Sequence, residues 1–212
     1  MARSRGILYV VATPIGNLQD LTQRAGEVLA KVELVAAEDT RRTRKLLTHL
    51  GIRVRLVSYR EHNRDEAARS ILAHLGAGRN AALVTDAGTP GVSDPGYHLV
   101  DACVKQGITV IPVPGASALA AALSVSGMPM DRFVFEGFLP SRAAARRRRL
   151  EELGATGLPF VAYESPRRIA STLSDIARTL GKVQVVVARE MTKVHEEFLR
   201  GDAQEVGRRL RE

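Results

Sequence analysis

Short, continuous apolar runs alternate with segments of helical period almost from the first residue of this chain. The runs at 7–12, 34–37, 54–58, 81–85 and 109–113 are rich in Val, Ile and Leu and do not alternate apolar with polar. Strands covered on both faces, as in a parallel sheet, read this way. Between and after them, segments 21–31, 40–50, 65–75, 97–106 and 117–126 carry apolar residues at helical spacing. Strand following helix following strand predicts an α/β layer fold with a mostly parallel first sheet. Gly127 and Pro129 interrupt the pattern. Beyond them, strands are predicted at 133–137, 158–164 and 184–189 and helices at 142–153 and 166–180. We therefore expect a first α/β domain over 1–127 and a second over 132–212, the latter small for a core of its own.

Several functional classes are excluded early. The single cysteine, Cys103, makes neither an internal disulfide nor a cysteine-type zinc site, which points to a reducing compartment and a cytoplasmic protein. No apolar run approaches the ~18 residues of a membrane span, so no membrane partner is expected. Histidines 49, 62, 74, 98 and 195 are scattered without a ligand-pair spacing, and no metal is expected. The charge balance is more telling: 31 Lys+Arg against 23 Asp+Glu gives +8, and only Lys31, Lys45, Lys105, Lys182 and Lys193 are lysines. Guanidinium groups fit phosphate bidentately, which suits a nucleic-acid surface.

In open α/β sheets ligands sit beyond the carboxyl ends of the strands. Three loops leaving predicted strands are rich in Gly and Pro: Thr13-Pro14-Ile15-Gly16-Asn17-Leu18; the stretch 85–96, Thr-Asp-Ala-Gly-Thr-Pro-Gly-Val-Ser-Asp-Pro-Gly; and Pro112-Val113-Pro114-Gly115-Ala116-Ser117-Ala118. Glycine lets backbone approach a ligand and proline stiffens the path. Neither a P-loop nor a dinucleotide fingerprint is present, nor the Gly-x-Ser-x-Gly of a serine hydrolase. None of these loops contains Lys or Arg, whereas the longest supplies Asp86 and Asp94. A polyphosphate would recruit cations. Carboxylates instead suit hydroxyl groups or a positive centre, a description that S-adenosylmethionine meets.

Three polar segments complete the set. Glu38-Asp39-Thr40-Arg41-Arg42-Thr43-Arg44-Lys45 opens a helix, where Asp39 or Thr40 serves as cap and the basic residues form a cationic face. Tyr59-Arg60-Glu61-His62-Asn63 follows the third strand. Arg146, Arg147, Arg148 and Arg149 run consecutively on a helix, wrap most of its circumference and are expected to be largely exposed. Arg41, Arg42, Arg44, Arg60 and these four are the proposed RNA contacts. Aromatic content of 4% with no Trp argues against base stacking as the main mode of binding.

Together with Phe135-Glu136-Gly137-Phe138-Leu139-Pro140, Tyr163-Glu164-Ser165-Pro166-Arg167-Arg168 and Arg189-Glu190-Met191-Thr192-Lys193-Val194-His195-Glu196-Glu197, these motifs resemble, over essentially the whole chain, the bacterial small-subunit (16S) ribosomal RNA cytidine 2′-O-methyltransferases. That family lies in the tetrapyrrole-methylase-like superfamily. The resemblance implies two α/β domains of the tetrapyrrole methylase type, S-adenosylmethionine in a cleft between them, and a homodimer acting on a decoding-site cytidine in the small ribosomal subunit. Carried over position by position, Pro14, Asp86, Ala87, Gly88, Thr89, Val92, Ser117 and Ala118 would line the cofactor from the first domain, and Tyr163, Glu164 and Glu190 would approach it from the second. Family members continue past the length seen here, with another strand and a small C-terminal region, so a second domain shortened at its end is expected.

Methylating a ribose hydroxyl requires alignment of oxygen, methyl and sulfur and removal of a proton from a weak acid. Glu38, Glu61, His62, Glu190 and Lys193 are the candidate bases, with Glu190, Lys193 and Glu38 preferred. An interdomain Glu190–Lys193 ion pair is the structural alternative. Two other functions remain open at this point: C-methylation of a tetrapyrrole precursor, and a non-catalytic RNA-binding assembly factor on the same fold.

Overall fold

A computed structural model describes residues 5–211. The chain folds as two compact units, with the division after Ala118. In the first unit, strands β1 (Leu8–Val11), β2 (Leu34–Ala37), β3 (Arg55–Ser58), β4 (Ala81–Val84) and β5 (Val110–Val113) form one sheet in the order β3-β2-β4-β1-β5, and every pairing is parallel. Helices α1 (Gln23–Lys31), α2 (Thr40–His49), α3 (Arg64–Gly76) and α4 (Tyr97–Lys105) connect the strands.

From β1 to β3 the chain steps one way across the sheet, and from β3 to β5 it steps back. Right-handed crossovers then place α1 and α2 on one face and α3 and α4 on the other. The core divides accordingly. Leu34, Ala36, Ala81 and Leu83 pack with Ile71, Leu75, Leu99 and Cys103, while Val35, Ala37, Ala82 and Val84 pack with Ala25, Leu29 and Leu47. Successive strand residues thus serve opposite cores, which is why these strands read as unbroken apolar runs. The helix following β4 lies on the opposite face from those following its neighbours β1 and β2. A crevice opens there, at the switch point of the topology.

The second unit holds α5 (Ala118–Val125), β6 (Val134–Phe138), α6 (Ala143–Ala155), β7 (Phe160–Tyr163), α7 (Ile169–Leu180), β8 (Gln184–Arg189), β9 (Glu197–Asp202) and α8 (Ala203–Arg209). β6 and β7 pair in parallel and β8 and β9 antiparallel. The division falls at the start of α5, whereas the sequence pattern draws its boundary beyond that helix. Two features explain this: Arg200 of β9 donates to the carbonyls of Val125 and Ser126, and Ala122 and Leu123 help to line an apolar cavity of about 490 Å³ bordered by β7 and β8.

The arginine run on α6 is not the exposed surface expected from sequence. Arg146 is only 4% exposed and donates from Nε and Nη2 to Asp175 Oδ2 of α7, at 2.8 and 2.5 Å. Arg147 reaches the other oxygen of Asp175 at 3.2 Å. Arg149 forks onto Glu136 of β6 at 2.8 and 2.7 Å. Consecutive residues point around the whole helix, so some must face the unit's interior, where carboxylates await them. Arg148 alone keeps a side chain that is mostly exposed, at 79%. Among the described residues, no helix is long and apolar enough to cross a membrane.

Candidate active site

At the carboxyl end of the first sheet, the loops after β1 and β4 are stitched together. Thr13 and Gly88 exchange two backbone hydrogen bonds, of 2.9 and 3.0 Å, and Thr13 Oγ1 donates to the Thr85 carbonyl. Gly88 sits at φ +90°, a conformation costly for any residue with a Cβ. Both of its backbone polar groups are used by Thr13, so it shapes the loop rather than offering a donor to a ligand. Ala87 and Gly91 beside it are exposed. Pro14 is buried and borders a small cavity of about 160 Å³ with Thr13, Leu18, Arg42, Lys45, Thr85 and Asp86.

Three carboxylates collect around Thr85. Its hydroxyl donates to Glu38 Oε2 at 2.9 Å and also engages Asp94. Asp86 accepts from the Asp39 N–H at 2.9 Å and has Arg42 at 3.6 Å. Burial pushes the Asp86 carboxyl above its usual range, against the lowering effect of the hydrogen bond from the Asp39 N–H; the charge of Glu38 raises it further and that of Arg42 lowers it. Asp94 is pushed further, to about 6, chiefly by burial and then by the charges of Glu38 and Asp86, against the lowering effect of its Thr85 hydrogen bond. Asp39 behaves oppositely: as the cap of α2 it accepts from the Arg41 N–H at 2.8 Å, which holds its carboxyl below the usual range.

A carboxyl raised on folding binds protons more readily in the native state than in the unfolded chain. Folding stability therefore falls as pH rises from about 4 to about 6, and the penalty persists above that. Asp94→Asn should raise the melting temperature at pH 7.5 and leave it unchanged below pH 4. If ionised Asp94 helps to hold the ligand, affinity in the wild type should drop below pH 6 and lose that pH dependence in Asp94→Asn. A variant with the wild-type stability profile would show that the carboxyl is not strained.

The other residues inferred from sequence distribute as follows. Thr89 and Val92 in the loop after β4, Ser117 in the loop after β5 and Ala118 at the start of α5 are half-buried. Arg41, Arg42 and Arg44 are exposed on α2. Arg60 ties two loops together, donating from Nε to the Glu38 carbonyl at 2.6 Å with Asp39 at 4.0 Å. In the second unit, Tyr163 meets the rings of Phe135 and Phe138 edge-on. The Glu164 carboxylate is occupied by Arg168 and Thr172, at 3.1 and 2.7 Å, and by its neighbour Ser165 N–H. Sequence reasoning names Asp94 as a loop carboxylate and Lys45 as part of a cationic face, but passes over Thr85 and Thr13 as site residues. Asp94 and Thr85 lie in the very loop it singles out, and their position beside Glu38 is the missing signal.

Glu190 and Lys193 lie in the turn after β8. Lys193 Nζ donates to Glu190 Oε1 at 3.2 Å, and both side chains are about half exposed. The ion pair thus forms within a single loop. Glu190 and Thr192 adopt φ of 50° and 66°, a left-handed conformation that costs a non-glycine residue about 1–3 kcal/mol. The buried Thr192 hydroxyl has no hydrogen-bond partner among the described residues. Strain and an unmet polar group in one short loop are features of working sites.

Comparison with known proteins adds to this geometry. Residues 7–207 match the family described as Tetrapyrrole (Corrin/Porphyrin) Methylases. A protein of Synechocystis sp. named Ribosomal RNA small subunit methyltransferase I is 54% identical over 200 residues, covering 94% of this chain and 72% of the relative. A protein of the same name from Escherichia coli O157:H7 is 52% identical over 194 residues, covering 91% and 68%. Among solved structures, the cobalt precorrin-4 methyltransferase CbiF superposes with a TM-score of 0.72 at 15% identity, over 97% of this chain and 89% of that one. The uroporphyrin III C-methyltransferase of Thermus thermophilus gives 0.66 at 20% identity, over 97% and 92%. Those two likenesses establish the fold.

Proposed function

Because the chain belongs to the tetrapyrrole methylase family, in the branch of the small-subunit ribosomal RNA methyltransferases I, we propose that it transfers a methyl group from S-adenosylmethionine to the ribose 2′-hydroxyl of a decoding-site cytidine in 16S ribosomal RNA. In this reading it acts in the cytoplasm, as a homodimer, on the small ribosomal subunit. One observation carries the choice of RNA over a tetrapyrrole. Likeness at 54% over 94% of the chain is to a protein named for ribosomal RNA, whereas likeness to the tetrapyrrole enzymes is at 15–20% and concerns the fold.

The residues present fit the donor. Loops 13–18, 85–96 and 112–118 contain no Lys or Arg, and Glu38, Asp86 and Asp94 gather at their centre. Such loops favour hydroxyl groups or a cation; the positive charge that reaches the cavity comes from α2, where Arg42 lies 3.6 Å from Asp86 and Lys45 lines the wall. Pro14, Asp86, Ala87, Thr89, Val92, Ser117 and Ala118 would hold the donor, with Gly88 shaping the loop; Tyr163 and Glu164, named by the family resemblance, are proposed as further donor residues. When bound, the donor supplies an electrophilic methyl group on a positively charged sulfur.

The chain's own task is to present the ribose oxygen and take its proton. Glu190 is assigned that proton, with Lys193 orienting the carboxylate through the 3.2 Å contact. Glu38, committed to Thr85, holds the loop end of the donor site. Arg41, Arg42 and Arg44 on α2, with Arg60 nearby and Arg148 on α6, are proposed to meet RNA phosphate. Arg146, Arg147 and Arg149 are already bound to Asp175 and Glu136 and act as structural residues.

Incubation with methyl-labelled donor and small ribosomal subunits, in parallel with a tetrapyrrole precursor, tests the reading. Label should appear in the RNA and be recovered as 2′-O-methylcytidine. Label on the tetrapyrrole alone would replace the RNA with the second substrate, and RNA binding without transfer would make the chain an assembly factor.

A further inference from the structure

Between α7 and α8, the second unit carries a groove that the proposed reaction does not use, with a cavity of about 640 Å³. Its floor is made of small residues, Ala177 and Gly207 among them, and Arg178, Arg208 and Arg211 stand at its margins with Ser174. A Cβ on Gly207 would lie 3.6 Å from Leu173, so the two helices approach closely beneath the groove. All three arginines are exposed, and none forms an ion pair among the described residues. They differ in this from Arg146 and Arg149 of α6, whose guanidinium groups are held by carboxylates. Arg178 and Arg208 also sit in the last turns of their helices, where a cation is favoured. That explains each singly but not their convergence with Arg211, which lies beyond α8.

We propose that this groove binds the sugar–phosphate backbone of RNA and gives the second unit its own hold on the substrate; the inference rests on the ribosomal RNA reading above. Three unpaired guanidinium forks match phosphate oxygens, and a floor of small side chains lets a backbone lie close. No aromatic ring lines the groove, so bases are not stacked there and the contact is independent of sequence. The lining also lacks the large apolar or aromatic anchors on which protein partners depend.

The test is binding of 16S RNA across a salt series by the wild type and by Arg178→Gln/Arg208→Gln/Arg211→Gln. Affinity at low salt should fall on the order of 10-fold, and the slope of log affinity against log salt should shrink by about 2 to 3, since each lost phosphate contact removes roughly 0.7–0.9. The triple lysine variant should keep most of the slope. Arg209→Gln, on α8 but outside the lining, should change it by less than any groove residue. An unchanged melting temperature and unchanged S-adenosylmethionine titration show that the glutamine variant is folded. Wild-type affinity and slope in that variant would overturn the groove while leaving the functional reading intact. Failure of the wild type to bind ribosomal RNA would overturn the functional reading itself.

Discussion

Replacing Arg146 by methionine should destabilise the protein by about 3 kcal/mol in denaturant unfolding, the low end of the range for breaking a buried ion pair by removing one partner. The guanidinium donates twice to Asp175 Oδ2 and once to the Ser141 carbonyl, at 3.2 Å. Without it, Asp175, itself 8% exposed, keeps only the Arg147 contact on its other oxygen. That remaining contact places the cost at the low end. A second substitution, Asp175→Leu, should restore much of the loss, because an apolar pair leaves no stranded charge. Arg148→Met, on the exposed side, should stay within about 0.5 kcal/mol of the wild type. An Arg146→Met protein as stable as the wild type but weaker toward RNA would return this side chain to the RNA surface.

Glu190→Gln should lower kcat by about 10²–10⁴-fold, the usual contribution of a general base. Glutamine keeps the shape of the side chain and an acceptor for Lys193 but cannot take a proton at neutral pH. Affinity for S-adenosylmethionine and for RNA should be unchanged, because Glu190 is assigned to the reacting hydroxyl rather than to holding either ligand. The left-handed backbone at Glu190 is no worse for glutamine, so loss of fold is not a competing explanation. Near-wild-type turnover would move the proton to another group, Glu38 first, since it lies in the carboxylate cluster around Thr85.

The first sheet was legible because each of its strands serves two cores at once. Leu34 and Ala36 face one and Val35 and Ala37 the other, and nothing polar interrupts them. β9 was not legible: Phe198 and Leu199 stand among Glu197, Arg200 and Asp202, and it is the pairing with β8 that makes them a strand. The helix after it did leave a mark. Asp202 accepts from the N–H groups of Gln204 and Glu205, and an acidic residue three places before a glutamate is a start signal that local reasoning can find. For α2 the sequence leaves Asp39 and Thr40 open as caps, and the structure gives the role to Asp39, which accepts from the Arg41 N–H.

The arginine run shows where local reading ends. Its four side chains are alike in sequence, and their fates are set by Asp175 and Glu136, 29 and 13 residues away. Asp94 is a similar case, since its carboxyl is raised chiefly by burial and then by the charges of Glu38 and Asp86, and Glu38 comes from a different loop, 56 residues away in the chain. The loops themselves were visible from their glycines and prolines. Which of their carboxylates carries the strain was not. Glu190 and Lys193 were singled out by spacing, but the left-handed conformations at Glu190 and Thr192 occur at residues other than glycine and leave no trace in the sequence.

The whole account depends on a donor site built from carboxylates, without a cation in the loops that form it. Parallel calorimetric titrations of the wild-type protein with S-adenosylmethionine and with ATP test this most directly. The account predicts saturable binding of S-adenosylmethionine and no binding of ATP. Saturable binding of ATP with none of S-adenosylmethionine would contradict it.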